Sequence, residues 1–396
     1  MLVGIVGKPN CGKSTFFKAV TMANVEIANY PFATIEPNKG VGYVKVTCAD
    51  KEFNTKCNPR SGYCINHNRF VPIDVIDVAG LVPGAHEGKG MGLEFLNDLN
   101  QADVLIHVID LSGGTNEKGE PVEKGFYDPG NDIRFLEEEL DHWYLNILNR
   151  NWDKYSRSVS QTDEKAEVAL NEQFSGLGSN ENMIKSVFNE KDLSKDLLSW
   201  GEEEKMVFSK ELRKRTKPIL IAANKADVPG ALDNLERIKN EFPELYIVPC
   251  SAESELALKE ASKKRLITYI PGEENFEITG SVASKQEKAL NFIKESVMSK
   301  LGGTGLQKAV NEAVFSLLDY IHVFPGGVNK LEDKDGNRLP DCFLIPSNST
   351  ALDFAFKVHT DLGKKFIRAV DVKKKMTVGK EHKLKAGDVV EIVSDT

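Results

Sequence analysis

The feature that most constrains this chain is the octapeptide GKPNCGKS at residues 7–14, which follows the apolar run LVGIV at residues 2–6. It fits the pattern G-x-x-x-x-G-K-[ST], a glycine-rich turn between a strand and a helix. Gly7 and Gly12 let backbone N–H groups curl around phosphate oxygens, and the helix adds the positive end of its dipole. The motif therefore predicts an α/β chain that holds the phosphates of a nucleotide, with Lys13 on the β- and γ-phosphates and Ser14 on Mg²⁺.

The rest of the amino-terminal part alternates apolar strands with helix-like segments. The runs KGVGYVKV, RFVPIDVIDV, ADVLIHVID, KPILIAANKAD and YIVPCSA all have the composition of buried strands. This alternation predicts a doubly wound, mostly parallel sheet of the kind found in P-loop nucleotide-binding domains.

The spacing of the strands predicts an insertion. The gap between Asp110 and Lys217 far exceeds what one strand–helix–strand unit needs, and its sequence is helix-like and charged. This insertion is either a partner-binding arm or a solvated elaboration without a ligand. Farther on, Thr304 and Gln307 have the spacing of a capping box before a regular apolar helix. The predicted domains are a nucleotide-binding domain (1–135 and 215–275), a helical insertion (136–214), a helical extension (276–320) and a small α+β module (321–396).

A second motif selects the nucleotide. NKAD, residues 224–227, follows an apolar strand, and the carboxylate of Asp227 can accept two hydrogen bonds from guanine but none from the matching edge of adenine. Leaving that carboxylate unpaired would penalise ATP by roughly 1–3 kcal/mol. We predict GTP as the ligand, with SAE (251–253) supplying a backbone N–H to the guanine oxygen. The predicted GTP-binding residues are Asn10, Cys11, Gly12, Lys13, Ser14, Thr15, Asn224, Lys225, Asp227, Ser251 and Ala252.

Two loops have the composition of γ-phosphate sensors. In DVAG (77–80), Asp77 is predicted to support the Mg²⁺ ion, and the N–H of Gly80 to contact the γ-phosphate. In NYPFATIEPNKG (29–40), Thr34 is the predicted hydroxyl for Mg²⁺ and γ-phosphate. Such loops become ordered around the γ-phosphate and are released on hydrolysis. Leu81 follows Gly80, and its apolar side chain cannot orient an attacking water.

Together, GKPNCGKST, NYPFATIEPN, DVAGLVPGAHEGKGMG, NKAD and the terminal DFAFKVHTDLGKKFIRAV…AGDVVEIV resemble the Obg-related GTPases. More narrowly, they resemble the archaeal and eukaryotic relatives of the YchF branch, which end in a TGS domain. The resemblance implies a β-grasp, ubiquitin-like fold for the last module and a role near ribosomes or translation. In YchF itself the base-reading motif departs from NKxD and ATP is accepted, whereas Asp227 is present here.

The group that positions the attacking water is open at this stage. The choices are K⁺ held by Asn10, a residue from an activating protein, or His86, which the resemblance supports. Asn10 can equally be a residue that only stabilises the turn. With one element of phosphoryl transfer missing, hydrolysis should be slow. The predicted catalytic residues are Lys13, Thr34, Gly80 and His86, and the predicted metal-binding residues are Ser14, Thr34 and Asp77 for Mg²⁺ with Asn10 for K⁺.

Two clusters lie outside the nucleotide motifs. Cys48, Cys57, Cys64 and His67 have donor types that suit Zn²⁺, but the spacing C-x8-C-x6-C-x2-H is not that of a usual zinc motif and favours a polar loop with reduced thiols. A basic stretch in the last module suits RNA phosphates, or is only a solvated surface. Its candidate contacts are Lys364, Lys365, Arg368, Lys373, Lys374 and Lys375.

Composition limits the remaining function classes. The net charge of −8 over 396 residues gives no global attraction to nucleic acid or anionic membrane. No apolar run approaches the roughly 18 residues needed to span a bilayer. A cleaved signal peptide would remove the first motif, so we expect a cytoplasmic protein. The leading hypothesis is a GTPase switch; the alternatives are an ATP- or GTP-using enzyme with a second substrate, such as a kinase, and a nucleotide-gated RNA-binding adaptor with little hydrolysis.

Overall fold

The structure, a computed structural model, describes residues 1–22, 38–78, 98–150, 152–162 and 164–395. Its strands are β1 (Leu2–Val6), β2 (Lys39–Thr47), β3 (Tyr63–Ile65), β4 (Asn68–Asp77), β5 (Val104–Asp110), β6 (Ile219–Asn224), β7 (Tyr246–Pro249), β8 (Ile267–Tyr269), β9 (Phe276–Ile278), β10 (Tyr320–Pro325), β11 (Phe343–Pro346), β12 (Phe366–Asp371), β13 (Met376–Val378) and β14 (Val389–Ser394).

The helices within these residues are α1 (Lys13–Thr21), α2 (Gly130–Asn149), α3 (Trp152–Gln161), α4 (Ala166–Phe174), α5 (Glu181–Lys191), α6 (Glu202–Thr216), α7 (Ala231–Glu241), α8 (Ala252–Lys263), α9 (Ser284–Phe292), α10 (Ser299–Leu301), α11 (Leu306–Glu312), α12 (Ala351–Val358) and α13 (Thr360–Lys364). Two π-helical segments, Ile293–Met298 and Ala313–Leu317, continue α9 and α11. The 3-10 turns are Ala49–Lys51, Ser175–Leu177 and Leu197–Ser199.

The chain divides into two compact units, residues 1–17 with 75–252 and residues 18–74 with 253–396. In the first unit, β1, β5, β6 and β7 are parallel neighbours in that order, and the end of β4 lies beside β1. Every residue of β5 and β6 is buried, as expected for parallel strands covered on both faces. This confirms the predicted doubly wound sheet. The motifs at Gly7, Asp77, Asn224 and Ser251 all follow the carboxyl ends of strands, where such sheets bind ligands.

The inserted region is helical, as the sequence predicts, and has its own apolar core. The ring of Trp152 stacks on that of Trp200 with centroids 5.7 Å apart, and Trp200 contacts the tilted ring of Phe208 at 5.3 Å. The guanidinium of Arg213, which is 2% exposed, is held by Asp141 at 2.8 Å and Glu137 at 3.1 Å. These contacts fix α6 against α2, and so position β6 at the end of the insertion.

In the second unit, the last module forms a five-stranded sheet in the order β11-β10-β14-β12-β13. The pair β10–β14 is parallel and the other three pairs are antiparallel. Phe354 of α12 is fully buried in a core with Val323, Ile345 and Val390. A mixed sheet of this order that packs around one helix is the predicted β-grasp fold. The helical part of this module is interrupted at His359, which separates α12 from α13, and β13 is a short strand of three residues.

The capping box predicted at Thr304 and Gln307 is wrong. The helix begins at Leu306, and Gly305, with φ of 85°, occupies the N-cap position. The hydroxyl of Thr304 instead donates to buried Glu255 at 2.5 Å, and the Gln307 side chain donates to the carbonyl of Tyr43 at 2.8 Å. Both side chains therefore form hydrogen bonds to residues distant in the sequence instead of capping the helix. None of the helices within the described ranges combines the length and hydropathy needed to cross a bilayer.

Candidate functional site

The glycine-rich turn between β1 and α1 is closely packed. Gly12 has φ of +94°, and a Cβ built there would lie 2.2 Å from the Nδ2 atom of Asn224. A Cβ on Gly7 would lie 2.5 Å from the carbonyl oxygen of Val108. The first helical hydrogen bond runs from the N–H of Phe16 to the carbonyl of Gly12 at 2.9 Å. Glycine is thus required at both positions, and the turn leaves the amino terminus of α1 available to an anion.

Lys13 is held at the end of β4. Its Nζ atom forms an ion pair with the carboxylate of Asp77 and donates to the carbonyl of Val78 at 2.8 Å. Both side chains are largely buried, with 14% and 21% exposure. The lysine predicted to bind phosphate and the carboxylate predicted to support Mg²⁺ are therefore partners. Ser14 is exposed and Thr15 half-buried in the first turn of α1.

Asn224 joins three of the predicted loops. Its Nδ2 atom donates to the carbonyl of Cys11 at 2.9 Å, and its Oδ1 atom accepts from the N–H of Ala252 at 2.9 Å. The N–H of Ala226 donates to the carbonyl of Cys250 at 3.0 Å, which holds NKAD against the SAE segment. Ser251, the first residue of the SAE segment, is also buried. Both ends of one amide thus fix the phosphate loop relative to the predicted base-reading loops.

Lys225 also contacts the phosphate loop. In the left-handed conformation, with φ of 61°, it donates to the carbonyl of Asn10 and to the carboxylate of Asp110, both at 2.8 Å. Asp110 is 1% exposed and also accepts from the hydroxyls of Ser112 and Thr115. Sequence reasoning missed Asp110. The available signal was its position at the end of β5, because the parallel register places it beside Asn224.

Asp227 is half-buried. Within the residues that the structure describes, its carboxylate has no hydrogen-bond partner. A carboxylate in this position retains its full capacity to accept hydrogen bonds. It is therefore free for the ligand that the sequence predicts.

The side of the phosphate loop near Lys8 is supported by residues 111–132, a contact that the sequence did not predict. Lys8 is buried, pairs with Asp132 at 2.9 Å and lies 3.9 Å from the ring centroid of Tyr127. Burial raises the pKa of Asp132, and Lys8 opposes that effect. The Asn10 amide, predicted to help hold K⁺, donates to the carbonyl of Gly119 at 2.9 Å. In this conformation Asn10 ties two turns together.

Cys11 lies inside the phosphate loop. Burial raises the pKa of its thiol to about 12, so the thiol stays protonated at neutral pH. We infer that Cys11 contributes backbone geometry and packing to the loop. The remaining predicted site residues, Thr34, Gly80, Leu81 and His86, lie outside the described residues.

The predicted basic surface of the last module is partly neutralised. Lys373 pairs with Glu52, and Lys374 pairs with Asp371 at 2.7 Å. Lys364, Lys365, Arg368 and Lys375 are exposed. Within the described part of the chain these four have no ion-pair partner. The exposed side chains of Ile367 and Met376 lie among them in the sequence.

The three cysteines predicted either to bind zinc or to remain reduced thiols are brought together. Cys48, Cys57 and Cys64 lie beside the carboxylate of Asp50, and the ligand atoms of these four residues are all within 4.8 Å of one another. His67 is next to this group, where it contacts Asp50.

Three family models match successive parts of the chain. Residues 2–142 match a model described as 50S ribosome-binding GTPase. Residues 222–327 match one described as Obg-like GTPase YGR210-like, G4 motif-containing domain, and residues 331–394 match the TGS domain. The matches cover the phosphate loop, the NKAD segment and the terminal β-grasp module.

Relatives cover nearly the whole chain. It is 49% identical over 396 residues to an uncharacterized GTP-binding protein of Methanocaldococcus jannaschii, which covers 99% of each chain. It is 28% identical over 386 residues to the ribosome-binding ATPase YchF of Bacillus subtilis, covering 94% of this chain and 88% of that one. The crystal structure of a GTP binding protein from Pyrococcus horikoshii OT3 superposes over 100% of both chains with a TM-score of 0.80 and 37% identity. The chain therefore belongs to the YchF-like family of Obg-like GTPases that carry a carboxyl-terminal TGS domain.

Proposed function

We propose that this chain binds guanine nucleotides and hydrolyses GTP to GDP and phosphate. The observation that carries the proposal is the bridge made by Asn224, which joins the phosphate loop at Cys11 to the SAE segment at Ala252. One nucleotide would contact both loops, with its phosphates on the turn at Gly12 and its base near Asp227. Family membership supports the same assignment.

The base is proposed to be guanine. Asp227 has a carboxylate without a described partner, and guanine presents the two adjacent donors that such a group accepts. The names of the relatives differ in the nucleotide: the relative at 49% identity is called a GTP-binding protein, and the one at 28% identity is called a ribosome-binding ATPase. Since the NKAD motif is intact here, we place this chain with the GTP-binding relatives.

On the phosphate side, Lys13 is proposed to exchange partners. When a nucleotide binds, the Nζ atom of Lys13 would leave Asp77 and Val78 and bind the β- and γ-phosphates. The Ser14 hydroxyl and the Asp77 carboxylate are hard oxygen donors that suit Mg²⁺, with Thr34 as the third predicted contact. When bound, Mg²⁺ would neutralise charge on the phosphates. The bond between Lys13 and Asp77 would thus couple phosphate binding to the loop that follows β4.

Hydrolysis is proposed to be slow without a partner. Leu81 cannot orient a water, so the attack depends on His86, on K⁺ near Asn10, or on a residue from an activating protein. The Asn10 amide nitrogen donates to the carbonyl of Gly119, so a role in holding K⁺ would have to use the Oδ1 atom, which has no hydrogen-bond donor among the described residues. We therefore favour His86 as the residue that this chain supplies.

The nucleotide state is proposed to control binding to the ribosome through the TGS domain. Lys364, Lys365, Arg368 and Lys375 are exposed cations on this domain, and nucleic acid phosphates are the natural partners of such a surface. The name of the Bacillus subtilis relative supports a ribosomal partner. A GTPase that reports its state in this way acts as a switch.

Two measurements test the proposal. Equilibrium binding of GDP, GTP and ATP to the wild-type chain and to Asp227→Asn should show a preference for guanine that the variant loses; tighter ATP binding by the wild type would overturn the base assignment. Ribosomes should co-sediment with the chain more strongly in a non-hydrolysable GTP analogue than in GDP. Equal binding in both states would refute the switch, and no phosphate release with Mg²⁺, K⁺ and ribosomes would refute hydrolysis.

A further inference from the structure

A compact cluster of three thiols and one carboxylate lies in the second unit, and none of its residues belongs to the nucleotide motifs. Cys48 follows β2, Asp50 lies in the 3-10 turn Ala49–Lys51, Cys57 lies in the next loop, and Cys64 lies in β3. The N–H of Cys48 donates to the carbonyl of His67 at 2.8 Å, which fixes the β3–β4 hairpin against the end of β2. Four potential ligands that are separate in the sequence are thereby brought to one point. We call Cys48, Asp50, Cys57 and Cys64 the cysteine cluster.

The separation of the sulfur atoms is informative. The Sγ atoms of Cys48 and Cys57 are 3.6 Å apart. A disulfide requires about 2.05 Å, so these two residues are not bonded to each other. Two sulfurs that each lie about 2.3 Å from one tetrahedral zinc ion are about 3.8 Å apart. The cluster therefore has the spacing of ligands around a shared ion.

Asp50 is a buried, hydrogen-bonded member of the cluster and not an exposed surface carboxylate. It is 3% exposed, and one carboxylate oxygen accepts from the N–H of Cys57 at 3.1 Å. The other oxygen lies 2.8 Å from the Nδ1 atom of His67. Carboxylates that bind metals are commonly held by such hydrogen bonds, which orient their free lone pairs. His67 would thus act as a positioning residue, and Asp50 takes the place of the imidazole that the sequence offered as the fourth candidate donor.

The surroundings suit a negatively charged site. Arg69 faces Cys64 across the hairpin and is 1% exposed. Its guanidinium donates to the carbonyls of Leu339 and Pro340, and it has no carboxylate partner among the residues that the structure describes. A buried cation without a carboxylate is expected beside thiolates that carry excess negative charge.

We propose that the cysteine cluster is a structural Zn²⁺ site, with Cys48, Cys57, Cys64 and Asp50 as its four ligands. Three thiolates and one carboxylate complete a tetrahedral shell, which leaves no open position for a substrate. The proposal replaces the polar loop with reduced thiols that the spacing alone favoured. That spacing is misleading because the turn after β2 and the β3–β4 hairpin, rather than a short C-x2-C loop, bring the ligands together.

The position of the cluster indicates what the ion would stabilise. Cys48 and Ala49 are buried with Phe324, Leu339 and Val389 of the TGS domain. The N–H groups of Asn58 and Arg60 donate to the carbonyls of Arg338 and Pro340, both at 2.9 Å. The ligand-bearing loop is therefore part of the packing of the β-grasp module. A bound ion would fix that loop in the second unit.

The test is the metal content of the purified full-length chain. We expect one zinc per chain by inductively coupled plasma mass spectrometry, with loss of that zinc in Cys64→Ser and in Asp50→Asn. Cys342→Ser is the matched control, because Cys342 is a neighbouring thiol outside the four ligands. It should retain the zinc. For His67→Ala, a chelator competition should show binding about tenfold weaker or more.

Other outcomes overturn the proposal. A wild-type chain without zinc that also fails to take up added Zn²⁺ would exclude the site. Two missing thiols in a denaturing thiol titration without reductant would indicate a disulfide instead. Zinc lost in Cys342→Ser and kept in Asp50→Asn would refute the ligand set. If the ligand variants do not fold, cobalt substitution of the wild type decides: the visible spectrum of tetrahedral thiolate coordination supports the site, and its absence refutes it.

Discussion

The side-chain amide of Asn224 and the backbone carbonyl of Cys11 are joined by a hydrogen bond of 2.9 Å. The bond links the first residue of NKAD to the phosphate loop, although the two residues are 213 positions apart in the sequence. The same amide accepts from the N–H of Ala252. A single side chain thus sets the distance between the places proposed for the phosphates and the base.

Asn224→Ala should weaken the binding of fluorescent GDP by about tenfold or more, since each buried partner left unpaired costs roughly 1–3 kcal/mol. Asn234→Ala is the control, because the Asn234 amide also donates to a backbone carbonyl, that of Leu111, at 2.9 Å. Equal losses in both variants would mean that the effect is general destabilisation. Unchanged binding in Asn224→Ala would remove the bridge from the site.

Gly12→Ala should abolish detectable nucleotide binding while the chain stays folded by circular dichroism. The added Cβ would lie 2.2 Å from the Asn224 amide, in a backbone conformation that disfavours side chains. Gly230→Ala is the control for backbone strain alone, because Gly230 has φ of +84° with no atom within 4 Å of a built Cβ. If Gly12→Ala and Gly230→Ala bind GDP equally well, the close approach of Gly12 to Asn224 is not needed for nucleotide binding.

His86→Ala should slow multiple-turnover phosphate release by about 100-fold or more, a typical contribution of a positioned proton acceptor. The affinity for GTP should stay nearly unchanged, because the proposed role is confined to the attacking water. His142→Ala, which removes an exposed histidine from α2, should retain the wild-type rate. Turnover at the wild-type rate in His86→Ala would leave K⁺ or a partner residue as the missing group.

Removal of Arg368 and Lys375 together should weaken ribosome binding and make it less sensitive to salt. For each lost phosphate contact, the slope of log K against log salt should fall by about 0.7–0.9. The pair Lys288→Ala and Lys300→Ala removes two exposed charges from other helical segments and is the control. Identical salt slopes in sedimentation assays of the two double variants would contradict the proposed surface.

The first unit should lose stability as the pH falls below about 6.5. Burial, followed by the charge of Lys8, lowers the pKa of His107 to about 3, whereas an unfolded histidine titrates near 6.5. Between these values the unfolded chain binds the extra proton, so the free energy of unfolding should fall by on the order of 1.4 kcal/mol per pH unit.

Urea titrations followed by tryptophan fluorescence measure this slope, since Trp143, Trp152 and Trp200 all lie in the first unit. His107→Gln should reduce the dependence of the free energy of unfolding on pH, and His142→Gln, at an exposed position, should leave it unchanged. A slope that persists in His107→Gln would assign the acid sensitivity to other groups.

Local patterns predicted the elements well where a single strand or turn contains the whole signal. GKPNCGKS predicted a turn between a strand and a helix, and the structure has it between β1 and α1. The β-grasp module followed from a family resemblance that the order of its five strands confirms. The failed capping box at Thr304 shows the limit, since Glu255 and Tyr43 are distant in sequence and outcompete the local cap.

Sequence by itself determined the parallel sheet, the two nucleotide motifs and the family, because glycine spacing, buried apolar runs and the residues of NKAD are features of short local segments. Only the tertiary structure decided which side chains meet. It pairs Lys13 with Asp77, places Asp110 under Lys225, and brings Asp50 to three cysteines. These contacts depend on strand register and on how separate loops pack. Strand register and loop packing are not encoded in the residue spacing of any one segment, so these contacts could not be predicted before the fold was known.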